Sequence, residues 1–466
     1  MIPPFGAALG AIVGSAYVHT GEAIGERYRL DISRKYASLP GWLAKPGSTD
    51  EVSAIMRLAH AHAVPVTVIG GQSGTCAAAV PSDGGLALSL ERMDAVEEID
   101  LVSMTMTVGA GCILQRAQEH AEARDAFLPL DLGSRGSATI GGIIGTNAGG
   151  NRVIRWGMMR DMVLGLEAVL ADGTIVSSLG KMIKDNAGYA WKHLLIGSEG
   201  TLGIVTRAVL RLRPLPTNRQ TALIGLSGFA DAITVLRRLE MSLCGQLSSF
   251  ELMWEDFYRL HTEAQLARRP RPMPLGYPIY ALVETMGGEE EGDADRFQRA
   301  LMTLIDEGLV ADAVIGQSER ERDALWAVRE DLGPGYAPLR PFAAYDVAMA
   351  IGDMPAYAEQ ARAAVLKAFP DATVLFYGHA GDGNLHVLCS IGRIDADIQF
   401  AFDDAIYGTL RPFGGSVAAE HGIGTTRAPW LGHSRSASEV VLMRTIKQAL
   451  DPKGVLNPGK VLIELR

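Results

Sequence analysis

Two spacings of apolar residues alternate along this chain, and together they predict most of its elements. Val52, Ile55, Met56 and Ala59 recur at helical spacing after Ser48-Thr49-Asp50-Glu51, a capping-box pattern, so a helix is expected to about Ala63. Residues 64–69 then read as a short strand running directly into Gly70-Gly71-Gln72-Ser73-Gly74-Thr75. Residues 166–170 and 174–176 flank an Asp172-Gly173 turn and predict a hairpin, and residues 208–212 predict another strand. Beyond Pro214 and Pro216 the texture changes to strand followed by helix, three times over: 222–224 before 229–241, 279–283 before 294–304, and 345–349 before 354–369. That alternation predicts an antiparallel sheet covered by helices, an α+β domain. The apolar stretch 1–18, with Pro3-Pro4 and no basic leader, reads as a docked helix.

A chain of 466 residues exceeds what one core usually organises, so two or more domains are expected. The proline pair suggests a first domain over 1–216 and a second over 217–405. A C-terminal helical segment, 406–466, returns to the first. The formal charge of −10 and the lack of any Lys/Arg run argue against nucleic acid as a partner. Cys76, Cys112, Cys244 and Cys389 have no CxxC spacing, which fits a reducing, cytoplasmic setting without a zinc ribbon or iron–sulfur cluster. No window is apolar enough to span a bilayer, so membrane association would be peripheral. The Arg/Pro segment 268–274 and the acidic run Glu289-Glu290-Glu291 read as surface loops.

Two stretches carry candidate chemistry. Gly378-His379-Ala380-Gly381-Asp382-Gly383-Asn384-Leu385-His386 lies between two strand-like runs and predicts a hairpin. With Gly381 to Asn384 as the loop, His379 faces His386 and two imidazoles can share one ion. A third ligand from Glu420, in Ala419-Glu420-His421-Gly422-Ile423-Gly424, would complete two histidines and a carboxylate, a set suited to zinc or manganese with open positions. His421 is then left as a base. The competing reading is ordinary polar turns. Gly-rich stretches at 70–74, 133–150 and 197–203 allow either close internal packing or backbone approach to an extended ligand. Neither of the first two has Rossmann or Walker spacing, so another nucleotide-shaped cofactor is favoured.

These motifs, with residues 161–174, 185–206 and the terminal Leu450-Asp451-Pro452-Lys453-Gly454-Val455-Leu456-Asn457-Pro458-Gly459-Lys460, resemble the FAD-linked D-2-hydroxy-acid dehydrogenases of the vanillyl-alcohol oxidase and para-cresol methylhydroxylase superfamily. That group includes D-2-hydroxyglutarate and D-lactate dehydrogenases and the glycolate oxidase flavin subunit. The resemblance implies a two-part FAD-binding domain and an α+β substrate domain. It implies FAD held by Gly70, Gly71, Gln72, Ser73, Gly74, Gly133, Ser134, Thr139, Ile140, Gly141, Gly142, Asn147, Glu199, Gly200, Gly203, Ile204, Val205 and Asn457. The bond to FAD is expected to be non-covalent, because Gln72 stands where a linking histidine would sit. It also implies a divalent metal on His379, His386 and Glu420, His421 as general base, and hydride transfer from the substrate Cα to the flavin N5.

Arg329 stands where the family reads the substrate carboxylate. Members acting on hydroxyglutarate carry a threonine, a lysine and an asparagine at three further positions, where this chain has Gly333, Ala344 and Leu388. The expected substrate therefore has a neutral tail, D-lactate or something longer, rather than D-2-hydroxyglutarate. Alternatives are a metal-free flavin alcohol oxidase and a non-catalytic FAD electron-transfer subunit. No motif names the electron acceptor, for which an electron-transfer flavoprotein or a quinone are candidates, and a homodimer stays open.

Overall fold

The computed structural model describes residues 5–463. The chain divides into two compact units, one comprising Met1–Gly150, Gly157–Leu215 and Glu420–Arg466, the other Asn151–Trp156 and Pro216–Ala419. The C-terminal part of the first unit thus begins at Glu420, with 406–419 in the second.

In the first unit, the apolar N-terminal stretch forms the helix Phe5–Val13; its residues 1–4 lie outside the described chain. Ser48 caps the helix Thr49–His62 as the spacing predicts, its hydroxyl accepting from the Glu51 amide at 3.2 Å. Trp42–Ala44, Leu86–Ser89 and Val66–Ile69 run parallel in a four-stranded sheet with Val18–His19 on its edge. The second sheet is antiparallel, in the order Val96–Asp100, Thr105–Gly109, Ile204–Arg211, Val163–Val169 and Ile175–Ser178. Its hairpin turns at Asp172-Gly173 as expected, with Gly173 at φ +87°. The chain end completes the first sheet: the Val66 amide donates to the Val455 carbonyl and the Asn457 amide to the Val66 carbonyl, both at 2.8 Å.

The second unit holds seven antiparallel strands in the order Asp312–Ile315, Asn218–Leu226, Ile279–Gly287, Leu247–Trp254, Thr373–His379, Asn384–Ser390 and Ala343–Ala348. Ala222, Ile224, Phe250, Leu252, Ala281 and Val283 pack one face under Leu236 and Phe297 from two helices. The opposite face carries Met253, Leu375, Tyr377 and Leu388 with Phe257, Tyr258 and Trp326. The acidic run is not a loop. Glu289 precedes the helix Glu290–Asp306, which takes in the rest of the run.

Candidate active site

The hairpin Thr373–His379 and Asn384–Ser390 forms, but its loop starts one residue earlier than the spacing suggested. The Asp382 amide donates to the His379 carbonyl at 3.2 Å, closing the turn there, and the Asp382 side chain caps the Asn384 amide at 3.1 Å. His379 therefore faces Asn384, and His386 faces Tyr377. Because the slip moves each partner by two positions, every side chain keeps its face. His379 and His386 meet diagonally, with ring centroids 5.2 Å apart. Glu420, the third ligand expected, opens the last segment of the first unit. Glu420 directly follows Ala419, whose amide donates to Asp346 Oδ2 at 3.1 Å. The donor set, two imidazoles and a carboxylate, fits a divalent cation.

Register fixes what surrounds the pair, since directly opposed residues share a face. One row across neighbouring strands reads Glu251, His379, Asn384, Ala348. The next reads Met253, Tyr377, His386, Asp346, and a third reads Leu375, Leu388, Ala344. Each histidine thus has a carboxylate opposite it on the outer neighbouring strand, and both carboxylates are buried. Glu251 Oε1 lies 2.6 Å from His379 Nδ1, while its Oε2 accepts from Arg329 Nε at 3.1 Å. The Arg329 guanidinium stacks over the Tyr377 ring at 4.5 Å. Neither Glu251 nor Asp346 stood out in the sequence, although a single acid inside an apolar strand is the signal that would have found them.

Of the other expected substrate contacts, Leu388 is buried in the apolar face, Ala344 is exposed opposite it, and Gly333 is exposed in the short helix Leu332–Tyr336. The Tyr336 and Tyr377 hydroxyls are hydrogen-bonded at 2.7 Å, and burial beside Tyr377 pushes Tyr336 well above its ordinary range. His261, fully buried between Phe257 and Tyr336, has no hydrogen-bond partner on either ring nitrogen. Burial, with Arg329 nearby, lowers it to about 4.

In the first unit the glycine-rich loops play two different parts. An added Cβ would fall 1.9 Å from the Ser137 carbonyl oxygen at Gly71, 2.8 Å from the Ala110 Cβ at Gly141, and 2.7 Å from Thr139 Oγ1 at Gly70. These glycines exist for close packing, which stacks the first loop on the second. Gly74 and Gly133 have nothing within 4 Å of such a Cβ. Nearby, Gln72 Oε1 and Thr75 Oγ1 are buried without a partner, while Gln72 Nε2 donates to the Leu30 carbonyl at 3.0 Å. Open glycines beside unpartnered polar atoms fit a polar ligand. Ser134 closes a turn, its carbonyl accepting from the Ser137 and Ala138 amides. Thr139 caps the helix Ile140–Thr146 through the Gly142 amide, and Asn147 ends it in the left-handed region. Gly200 turns at φ +70°, Gly203 packs on Leu195, and Ile204 and Val205 open a buried strand.

Two of the residues expected at the cofactor are tied into the first unit by their side chains. Asn457 accepts from Thr67 Oγ1 at 3.1 Å and donates to the Ala78 and Glu199 carbonyls at 2.9 and 2.7 Å. Glu199 accepts from the Ile423 and Gly424 amides at 2.6 and 2.7 Å. Burial pushes the Glu199 carboxyl up, against the pull of those two amides, Arg427 and Lys460. Cys76 Sγ donates to the His421 carbonyl at 3.0 Å, and Arg427 Nη1 to the Gly422 carbonyl at 2.7 Å. The loop bearing half-buried His421 is therefore clamped from several sides.

Residues 40–178 match a FAD binding domain, and residues 215–461, more than half the chain, match the C-terminal domain of FAD linked oxidases. The chain belongs to the FAD-linked oxidases. This FAD-linked oxidase is 38% identical over 441 residues to a D-2-hydroxyglutarate dehydrogenase of Xanthomonas citri pv. viticola, covering 94% of this chain and 92% of the relative. A mitochondrial D-2-hydroxyglutarate dehydrogenase of Bos taurus is 37% identical, over 90% of this chain and 76% of its own. A p-cresol methylhydroxylase with bound substrate superposes with a TM-score of 0.76 at 16% identity, over 99% of this chain and 96% of that one. The family is therefore the FAD-linked 2-hydroxy-acid dehydrogenase group expected from the motifs, and the fold is the two-part FAD-binding type with an α+β second domain. No helix among the described residues of this FAD-linked oxidase is long and apolar enough to cross a membrane.

Proposed function

We propose that the chain oxidises a D-2-hydroxy acid with a neutral tail to the 2-oxo acid, using FAD and a divalent metal, zinc or manganese. The observation that carries the reading is the shared sheet face: the row after His386 is Leu375, Leu388 and Ala344, with no polar side chain among them. His379, His386 and Glu420 would hold the metal, and Gly74, Gly133 and their neighbours would approach FAD. When bound, the metal supplies Lewis acidity towards the 2-hydroxyl and FAD a hydride acceptor. His421 takes the hydroxyl proton. Arg329 pairs with the substrate carboxylate through its planar fork, kept in place by Glu251 and the Tyr377 ring. Leu388, Ala344 and Gly333 offer a distal carboxylate neither cation nor hydrogen-bond donor from their side chains. Losing three such contacts, each worth about 1–3 kcal/mol, disfavours a dicarboxylate.

The names of the relatives support a second reading, D-2-hydroxyglutarate itself as substrate. Anaerobic flavin bleaching by D-lactate, a longer neutral D-2-hydroxy acid and D-2-hydroxyglutarate separates the two. A higher kcat/KM on the dicarboxylate would overturn the neutral-tail proposal, and no bleaching by any of them would favour the non-catalytic subunit. None of the four cysteines forms a disulfide, which supports a reducing setting such as the cytoplasm, and the bovine relative's name gives that protein a mitochondrial one.

A further inference from the structure

Glu251 is the one charged residue of the strand Leu247–Trp254 and is 1% exposed. Burying a carboxylate there requires partners for both oxygens, and the two it has come from different parts of the site. Oε1 meets His379 Nδ1 at 2.6 Å and Oε2 meets Arg329 Nε at 3.1 Å. Arg329 Nη2 in turn lies 3.4 Å from His379 Nε2, so three side chains close a triangle. A carboxylate only accepts, so His379 carries its proton on Nδ1 and its Nε2 lone pair faces the Arg329 N–H, a long contact that a metal on Nε2 would replace. That is the tautomer a metal ligand needs.

We infer that Glu251 is a positioning residue that ties the metal-holding imidazole of His379 to the carboxylate-binding guanidinium of Arg329, so that metal affinity and substrate affinity are set by one buried side chain. The inference rests on the proposed function. Glutamine at 251 has the same size but one acceptor oxygen, so either His379 or Arg329 loses its bond to this side chain. Outer partners of metal-ligating histidines typically change affinity by about 10–100-fold.

The experiment uses FAD-loaded protein. Zinc and manganese affinities are measured by competition with a chromogenic chelator for wild type, Glu251→Gln and Arg329→Lys. Steady-state kinetics on D-lactate follow at saturating metal. Glu251→Gln should bind metal about 10–100-fold more weakly and raise KM more than it lowers kcat. Arg329→Lys, which leaves the His379–Glu251 bond in place, should raise KM while metal affinity stays within about threefold of wild type. Should Glu251→Gln fail to fold, the double variant Glu251→Met/Arg329→Met removes both buried charges together and should show the same loss of metal affinity. Wild-type metal affinity in Glu251→Gln, or in the double variant where only that one folds, overturns the inference. Wild-type protein that binds no more metal than His386→Ala would instead sink the metal site itself.

Discussion

Replacing His261 with leucine should flatten the acid limb of the stability profile. The ring is 0% exposed, tilted against Phe257 at 4.2 Å and edge-on to Tyr336 at 5.0 Å, with no hydrogen-bond partner for either nitrogen. Protonation would bury an unpaired cation close to Arg329, and the imidazole accordingly titrates near 4 instead of 6.5. Between those values the unfolded chain holds a proton that the folded one lacks, so folding stability falls as pH drops. The contribution is intact above pH 6.5 and is lost on the way down to about 4. The whole interval corresponds to about 3 kcal/mol, and about 2 kcal/mol of it is gone by pH 5. Urea unfolding of FAD-loaded wild type and His261→Leu at pH 8 and pH 5 measures this. The variant should gain about 2 kcal/mol on wild type between the two conditions, whatever its stability at pH 8. Parallel losses in both proteins would refute the reasoning.

Other expectations follow from the site. His421→Asn should keep FAD and metal yet slow anaerobic flavin reduction by about 10²–10⁴-fold, the usual range for a general base; unchanged bleaching rates would remove it from that role. Gly71→Ala puts a Cβ 1.9 Å from the Ser137 carbonyl oxygen and should cost about 1–3 kcal/mol or more, with loss of yellow colour on purification. Gly74→Ala, with nothing within 4 Å, should leave the melting temperature unchanged and weaken FAD binding, read by flavin fluorescence on dilution. Leu388→Asn combined with Ala344→Lys should raise kcat/KM on D-2-hydroxyglutarate relative to D-lactate, and an unchanged ratio counts against the assigned tail direction.

Much of this was legible in the sequence because it is local. The Ser48 cap, the Asp172-Gly173 turn and the repeated strand–helix texture after Pro216 each depend on neighbours within a few residues. The His379/His386 pairing was half legible. Gly381, Asp382, Gly383 and Asn384 are all turn residues, so composition cannot say where a four-residue loop begins, and the Asp382 cap on Asn384 decided it. Glu251 was invisible for a different reason. Its partner His379 lies 128 residues away, and only the sheet order makes them neighbours. The internal bonds of Glu199 and Asn457 were equally invisible, since their side chains reach backbone groups more than 200 residues away in sequence.

The pairing of Val66 with Val455 and Asn457 gives the polypeptide a timetable. A nascent chain emerges from its amino end, and a strand finished by residues some 390 positions downstream must wait for them with its edge bare. That edge of the first sheet is therefore finished only after residues 455–457 have been made. A chain cut short before Val455 should leave that edge open to pairing with other chains.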